Sequence, residues 1–270
     1  MLTNQQSRVA AVVACAAAMS MMARTPAADA PDAVTLAVAG RTNAAPWVAS
    51  HGRFVAVTWG AALDGQSDIY VATSVDEGQT FGAPVRVNTV TGDGRVGGEI
   101  PPRVALHQPV GAPRPEVVVA WNAKDQGTEI KIARSRDYGA TFAAPVSLQA
   151  AGAAGDRGWH ALALDGDGVA HVVWLDHRGL AEAKAAAGAA GHASGDHGGV
   201  AMAQKSRLHY ATYGDRPAPE QMLAPGVCYC CKTALAPTRR GVFAAWRHVY
   251  AGNMRDMAFA LLDAPGAAAP

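Results

Sequence analysis

The chain has 270 residues, with 23 Lys and Arg against 22 Asp and Glu, a formal net charge of +1, and 6% aromatic residues. So even a balance gives no field that would draw nucleic acid or an anionic membrane, so those partners are not expected. Beyond its N-terminal leader no stretch is apolar for long enough to span a bilayer, and no transmembrane segment is predicted.

Arg8 precedes an apolar run over 9–23 that stops at Arg24, and Ala28, Asp29 and Ala30 put small residues where a signal peptidase reads. This predicts a signal peptide over 1–30 and a secreted or periplasmic protein. Val12, Val13, Ala14 and Cys15 resemble a lipobox, the alternative in which Cys15 carries a lipid anchor. Residues 31–45 read as a Pro/Ala-containing lead-in with one strand-like stretch, 34–38. From 46 to 263 short alternating strands follow one another between turn residues without an amphipathic helix, which predicts an all-β fold; 264–270 read as a tail.

An internal repeat organises this region. Ser74-Val75-Asp76-Glu77-Gly78-Gln79-Thr80-Phe81 returns as Ser135-Arg136-Asp137-Tyr138-Gly139-Ala140-Thr141-Phe142, with Ser, Asp, Gly, Thr and Phe in register. Ser and Asp side chains can bond nearby backbone N–H groups, Gly supplies a backbone angle closed to other residues, and Thr-Phe starts the returning strand with a ring to bury. The octapeptide is therefore a structured hairpin turn. A second landmark is an apolar strand ending in Trp, at Trp59, Trp121, Trp174 and Trp246, where regular recurrence is what packing demands. The units predicted are 47–88, 99–149, 159–226 and 228–270, the last ending after its third strand.

Position for position, the octapeptide resembles the Asp-box (bacterial neuraminidase repeat) of sialidase-like β-propellers, and the resemblance covers about 47–262. It implies four-stranded blades, about four of them here, as an incomplete form of a ring that in this family usually has six. The alternative is that 34–38 supplies an outer strand and closes a smaller ring. The resemblance also implies that the box is structural, and that three arginines hold a substrate carboxylate. The Arg-Ile-Pro motif of such enzymes is absent, Pro101, Pro102, Arg103 and Val104 standing nearest to it, and no Tyr/Glu nucleophile pair can be placed. Cys228-Tyr229-Cys230-Cys231-Lys232-Thr233 followed by Trp246, Arg247 and His248 resembles an uncharacterised secreted subgroup.

Strand parity places the chemistry. In a four-stranded antiparallel blade the turns after the first and third strands lie on one face, and the connections after the second and fourth on the other. The Asp-boxes mark the first face. Asp165-Gly166-Asp167-Gly168 falls there too and, lacking further acidic ligands, reads as a hairpin turn rather than a calcium loop. The opposite mouth collects Arg103, Arg157, Trp159, His160, Asp176, His177, Arg178, Arg247, His248, Asn253 and Arg255, together with the cysteine stretch 228–232. One reading is a glycan site, with the arginines, Trp159 and His160 binding substrate and Asp176 as acid or base of a glycoside hydrolase. A non-catalytic carbohydrate- or protein-binding module is the alternative; ion pairs between blades are the structural one.

Removal of the leader leaves Cys228, Cys230 and Cys231, an odd number in an oxidising compartment. A disulfide with one spare thiol is expected, so no cofactor is; the alternative is copper or zinc held by Cys228, Cys230, Cys231 and His248 as part of a redox or metal protein. Residues 180–205, rich in Ala, Gly and His, read as a flexible insert in which His192, Asp196 and His197 are solvated rather than metal-binding.

Overall fold

The computed structural model describes residues 33–125, 127–150, 155–180, 203–215 and 217–262. Every strand belongs to one compact unit that begins at Leu36. The expected signal peptide, the Cys15 anchor, residues 181–202 of the insert with His192, Asp196 and His197, and the tail lie outside the described residues.

The strands form antiparallel sheets in sequence order. The first holds β1 (Thr42–His51), β2 (Phe54–Leu63), β3 (Gln66–Ser74) and β4 (Val85–Arg86); the second β5 (Arg103–His107), β6 (Glu116–Asp125), β7 (Gly127–Ser135) and β8 (Val146–Ser147). The third holds β9 (Arg157–Leu164), β10 (Ala170–Asp176), β11 (Arg207–Tyr213) and β12 (Gln221–Pro225), and a three-stranded sheet follows with β13 (Ala234–Thr238), β14 (Gly241–Val249) and β15 (Arg255–Leu262). First strands are neighbours, β1 beside β5, β5 beside β9 and β9 beside β13, so the sheets stand as successive radial blades of a β-propeller.

The second strands that carry Trp59, Trp121, Trp174 and Trp246 run on past them, and they explain why the blades stack. In β6 the side chains of Val117, Val119 and Trp121 point towards Phe54, Ile69 and Val71 of the first blade, whereas Val118 and Ala120 point towards Val172 and Trp174 of the third. A strand covered on both faces reads as a continuous apolar run, and Val117 to Trp121 is one. Val173, Leu175 and Leu208 meet Trp246 and Leu262 in the same way between the third and fourth blades. Trp121 and Trp174 are fully enclosed, and burial of a ring of that size stabilises by about 4–6 kcal/mol at roughly 25 cal/mol per Å².

The two octapeptides fold alike. Ser74 Oγ donates to Asp76 Oδ1 at 2.6 Å and accepts from Gly78 N at 2.9 Å; Thr80 N and Oγ1 donate to the two Asp76 oxygens at 2.9 and 2.6 Å. In the second copy the four distances are 2.7, 2.7, 2.8 and 2.6 Å. Gly78 and Gly139 have φ of +88° and +93°, a region closed to most side chains. Phe81 packs with Trp59 and Tyr70, and Phe142 with the core between the first two blades. The Ser74 and Thr80 hydrogen bonds hold the Asp76 carboxyl down at about 2, and those from Thr141 and Ser135 lower Asp137 as well, though burial opposes them.

Two expectations are corrected. Residues 34–38 form no strand, so they do not close a smaller ring; Leu36 and Val38 pack instead on the Trp59 cluster. The first blade starts at Thr42 rather than Trp47, because Asn43 Oδ1 accepts from Trp59 Nε1 and Val38 N and fixes the strand earlier. The Asp165 turn is the expected hairpin: Asp165 N and Val169 O meet at 3.0 Å, and Asp165 Oδ1 accepts from Asp167 N and Val169 N.

Candidate functional site: a cleft on the rim opposite the Asp-boxes

The connections after second and fourth strands are stitched into one rim. Arg95 N donates to Asn122 O, Lys124 N to Asp93 O, and His177 N to Asp156 O; Thr233 Oγ1 donates to Trp159 O at 2.6 Å. A cleft of about 400 Å³ opens there between the second, third and fourth blades, with Arg95, Glu99, Asp156, Trp159, His177, Tyr229 and Cys230 on its walls. Two larger clefts, of about 580 and 550 Å³, lie on the Asp-box face around Arg134, Arg136 and Asp215. Their walls mix strand residues, Arg134, His171 and Thr212 among them, with the turns, and Arg134 is held by Glu116 at 2.6 Å and by Gly168 O.

Trp159 is the unusual residue of the rim. The pairing of β9 with β10 breaks its register, Val173 facing Ala161 but Leu175 facing Gly158, and at this bulge Trp159 takes φ of +50°. A bulge turns a side chain out of the strand's alternation, and the left-handed backbone costs about 1–3 kcal/mol for a residue with a Cβ. The indole lies 5.3 Å from the His177 ring, half-buried in the cleft wall. Arg95 and Asp156, both about half exposed, pair at 3.1 Å beside it, and Glu99 pairs with Lys232, whose hydrogen bond and charge lower the Glu99 carboxyl.

From Arg157, which also lines the cleft, an ion network runs inward. Asp176, 2% exposed, contacts Arg157 Nε at 3.4 Å and Arg178 Nε at 2.8 Å; Arg178 goes on to Glu220, which His209 Nδ1 meets at 2.7 Å. Arg157 Nη1 also donates to Thr128 O and Gly155 O, and burial lowers its pKa while Asp176 opposes this. Burial pushes Glu220 up, but the His209, Ala150 N–H and Arg178 contacts outweigh it and hold the carboxyl at about 2. Asp176, His209 and Glu220 lie close enough together to hold a cation, yet two guanidinium groups already balance the carboxylates.

This arrangement corrects several sequence-predicted roles. Asp176 is enclosed and paired to two arginines rather than aimed into the cleft as an acid or base. His160 is buried, with Nδ1 against Asn122 Oδ1 and Nε2 against Ala120 O, and burial pushes its pKa down to about 3, so it is a neutral core residue. Arg103 stacks 3.7 Å over the Trp47 ring and donates to His160 O, tying the second blade to the first and third. Arg178 is occupied by Asp176 and Glu220; Arg255 donates to Asn253 Oδ1 in the β14–β15 connection. The arginines therefore do not converge on one point of the cleft. Tyr229 lines it as part of the 228–232 stretch, whereas Arg95, Glu99 and Asp156 also line it and were not singled out from the sequence. Their positions in connections after fourth strands were the available signal, the same parity that selected Trp159.

The cysteines form a disulfide between Cys228 and Cys231, and Cys230 is free and exposed. His248 does not join them. It follows Arg247 on β14, and whereas Arg247 Nη1 reaches Cys231 Sγ at 4.0 Å, the His248 ring lies against Tyr250 in a separate cleft with Trp246, Met257 and Phe259. The predicted four-residue copper or zinc set is thus not assembled.

The fold and site together define a β-propeller with a cleft on the rim opposite its Asp-boxes. No family model and no curated protein matches the sequence. Among solved structures, the chain is similar to the α-L-arabinofuranosidase Arb93A from Fusarium graminearum in complex with an iminosugar inhibitor, at 13% identity over 76% of this chain and 57% of that one, with a TM-score of 0.42. It is similar to a protein of unknown function from Dyadobacter fermentans, at 14% identity over 82% and 66% with a TM-score of 0.47. It is also similar to an α-L-arabinanase from Penicillium chrysogenum complexed with arabinobiose, at 13% identity over 80% and 61% with a TM-score of 0.44. The chain spans 57% to 66% of the length of these proteins.

Proposed function

We propose that this is an exported glycan-binding propeller of the sialidase-like Asp-box type, and that a sugar ring stacks on Trp159 in the rim cleft. The observation that carries the reading is the strained bulge at Trp159, which sets an indole in the wall of a cleft lined both by apolar residues, Ile100 and Leu180, and by the polar side chains of Arg95, Glu99 and Asp156. An aromatic face for the apolar side of a sugar, flanked by a few hydrogen-bonding groups, is the usual composition of such a site. Arg95, Glu99, Asp156 and Tyr229 supply the hydroxyl partners. Because Arg157 and Arg178 are already paired, the reading does not single out the sialic carboxylate, and neutral glycans are included. Export is supported by the Cys228–Cys231 disulfide, which persists in oxidising compartments.

Hydrolysis at the same cleft is a second reading, favoured by two carboxyl groups, Glu99 and Asp156, on its walls. A glycan array probed with the full chain and with Trp159→Ala tests binding: retention lost in the variant supports the proposal, and no retention by either removes it. Fluorogenic arabinofuranosides and sialosides test turnover, which must fall in Glu99→Gln or Asp156→Asn if the second reading holds.

A further inference from the structure

The three cysteines of the fourth-blade approach occupy one tight turn. Cys231 N donates to Cys228 O at 3.3 Å, Cys228 N is fixed by Arg247 O at 2.9 Å, and the three sulfurs lie within 4.8 Å of one another. Cys228 is buried at the back in an apolar cluster with Val249, whereas Cys230 is exposed and opens into the 400 Å³ cleft beside Tyr229. Its Sγ stands 3.9 Å from Cys228 Sγ, and the guanidinium of Arg247 stands 4.0 Å from Cys231 Sγ. A free thiol next to a disulfide, with a cation on the sulfur that would leave, is the constellation thiol–disulfide exchange needs.

We propose that Cys228, Cys230 and Cys231 form a thiol–disulfide exchange site that takes a low-molecular-weight disulfide through the rim cleft. In the internal step Cys230 gives its proton to solvent and its thiolate attacks Cys228 Sγ. The Cys228–Cys231 bond breaks as the Cys228–Cys230 bond forms, and Cys231 departs as a thiolate facing Arg247, with no net change of oxidation state. In the external step the free thiolate, at Cys230 or at Cys231, attacks one sulfur of the incoming disulfide. A mixed disulfide forms on the protein and the other half leaves as its thiolate. Cys228, at the centre of the relay, is always bonded.

The test uses the full-length protein at mildly alkaline pH without reductant. Free thiols are trapped with N-ethylmaleimide and the labelled residue is assigned by tandem mass spectrometry; a parallel sample receives oxidised glutathione. The proposal expects label and glutathione adduct shared between Cys230 and Cys231, with Cys228 unlabelled. Arg247→Met should lower the Cys231 share by roughly twofold to fivefold, the worth of one exposed charge contact. Cys230→Ser should leave positions 228 and 231 without label or adduct, whatever Cys15 takes up, while keeping the wild-type melting temperature. Label on Cys230 alone without adduct means a static disulfide, and label on all three means none; either result overturns the proposal.

Discussion

Replacing Asp176 by Asn separates a structural role from a chemical one. The change keeps shape and one acceptor but removes the charge between Arg157 and Arg178, in a place where the Asp176 and Arg157 side chains are each 2% exposed. Breaking a buried pair by neutralising one partner costs about 3–5 kcal/mol, because the remaining charge stays desolvated. Arg178 is 28% exposed and keeps Glu220, so the loss falls mainly on Arg157 and the lower end, about 3 kcal/mol, is expected. At roughly 2–4 °C per kcal/mol for a domain of this size, the melting temperature should drop by roughly 6–12 °C, read by circular dichroism together with a urea midpoint. The reasoning is refuted if Asp176→Asn melts with the wild type. It is refuted more pointedly if that variant keeps its stability and loses turnover or glycan retention.

Two further predictions concern the Asp-boxes. Asp76 sits at about 2 against an ordinary 3.8, and Asp137 is also depressed, so their stabilisation is complete above the unfolded value and is lost as pH falls from about 4 towards 2. The urea midpoint of the wild type should therefore fall across that window, and the double variant Asp76→Asn, Asp137→Asn should show a shallower fall; parallel profiles would contradict the assignment. Gly139→Ala should destabilise by about 1–3 kcal/mol and by more than Gly78→Ala, since both have positive φ but a methyl at Gly139 meets Thr73 Cγ2 at 2.8 Å whereas at Gly78 it meets nothing nearer than 3.8 Å. Equal melting temperatures for the two variants would count against this.

The architecture was legible because it is written locally. Eight residues specify the Asp-box through hydrogen bonds spanning two to four positions, and the run from Val117 to Trp121 declares a strand covered on both faces. Strand parity was enough to bring Trp159, His177 and Cys230 to one rim. What the sequence left hidden depends on distant pairing. Asp176 lies opposite Arg157 only once β9 and β10 are in register, and Glu220 reaches Arg178 from 42 positions away. Arg95 and Asp156 meet across 61 positions. The positive φ of Trp159 has no mark in composition, since Gly or Asn would ordinarily announce it. Residues 34–38 show the opposite error: an alternating apolar pattern predicts a strand only where a neighbour offers a free ladder, and Leu36 and Val38 find a side-chain cluster instead.

The central claim, that a sugar ring lies on Trp159 in the rim cleft, is tested most directly by isothermal titration of an oligosaccharide retained on the array into wild type and Trp159→Ala. The loss of one stacking face, worth about 0.5–1.5 kcal/mol, predicts an affinity roughly twofold to tenfold weaker in the variant. Equal affinity for the two proteins would place the ligand elsewhere and contradict the account.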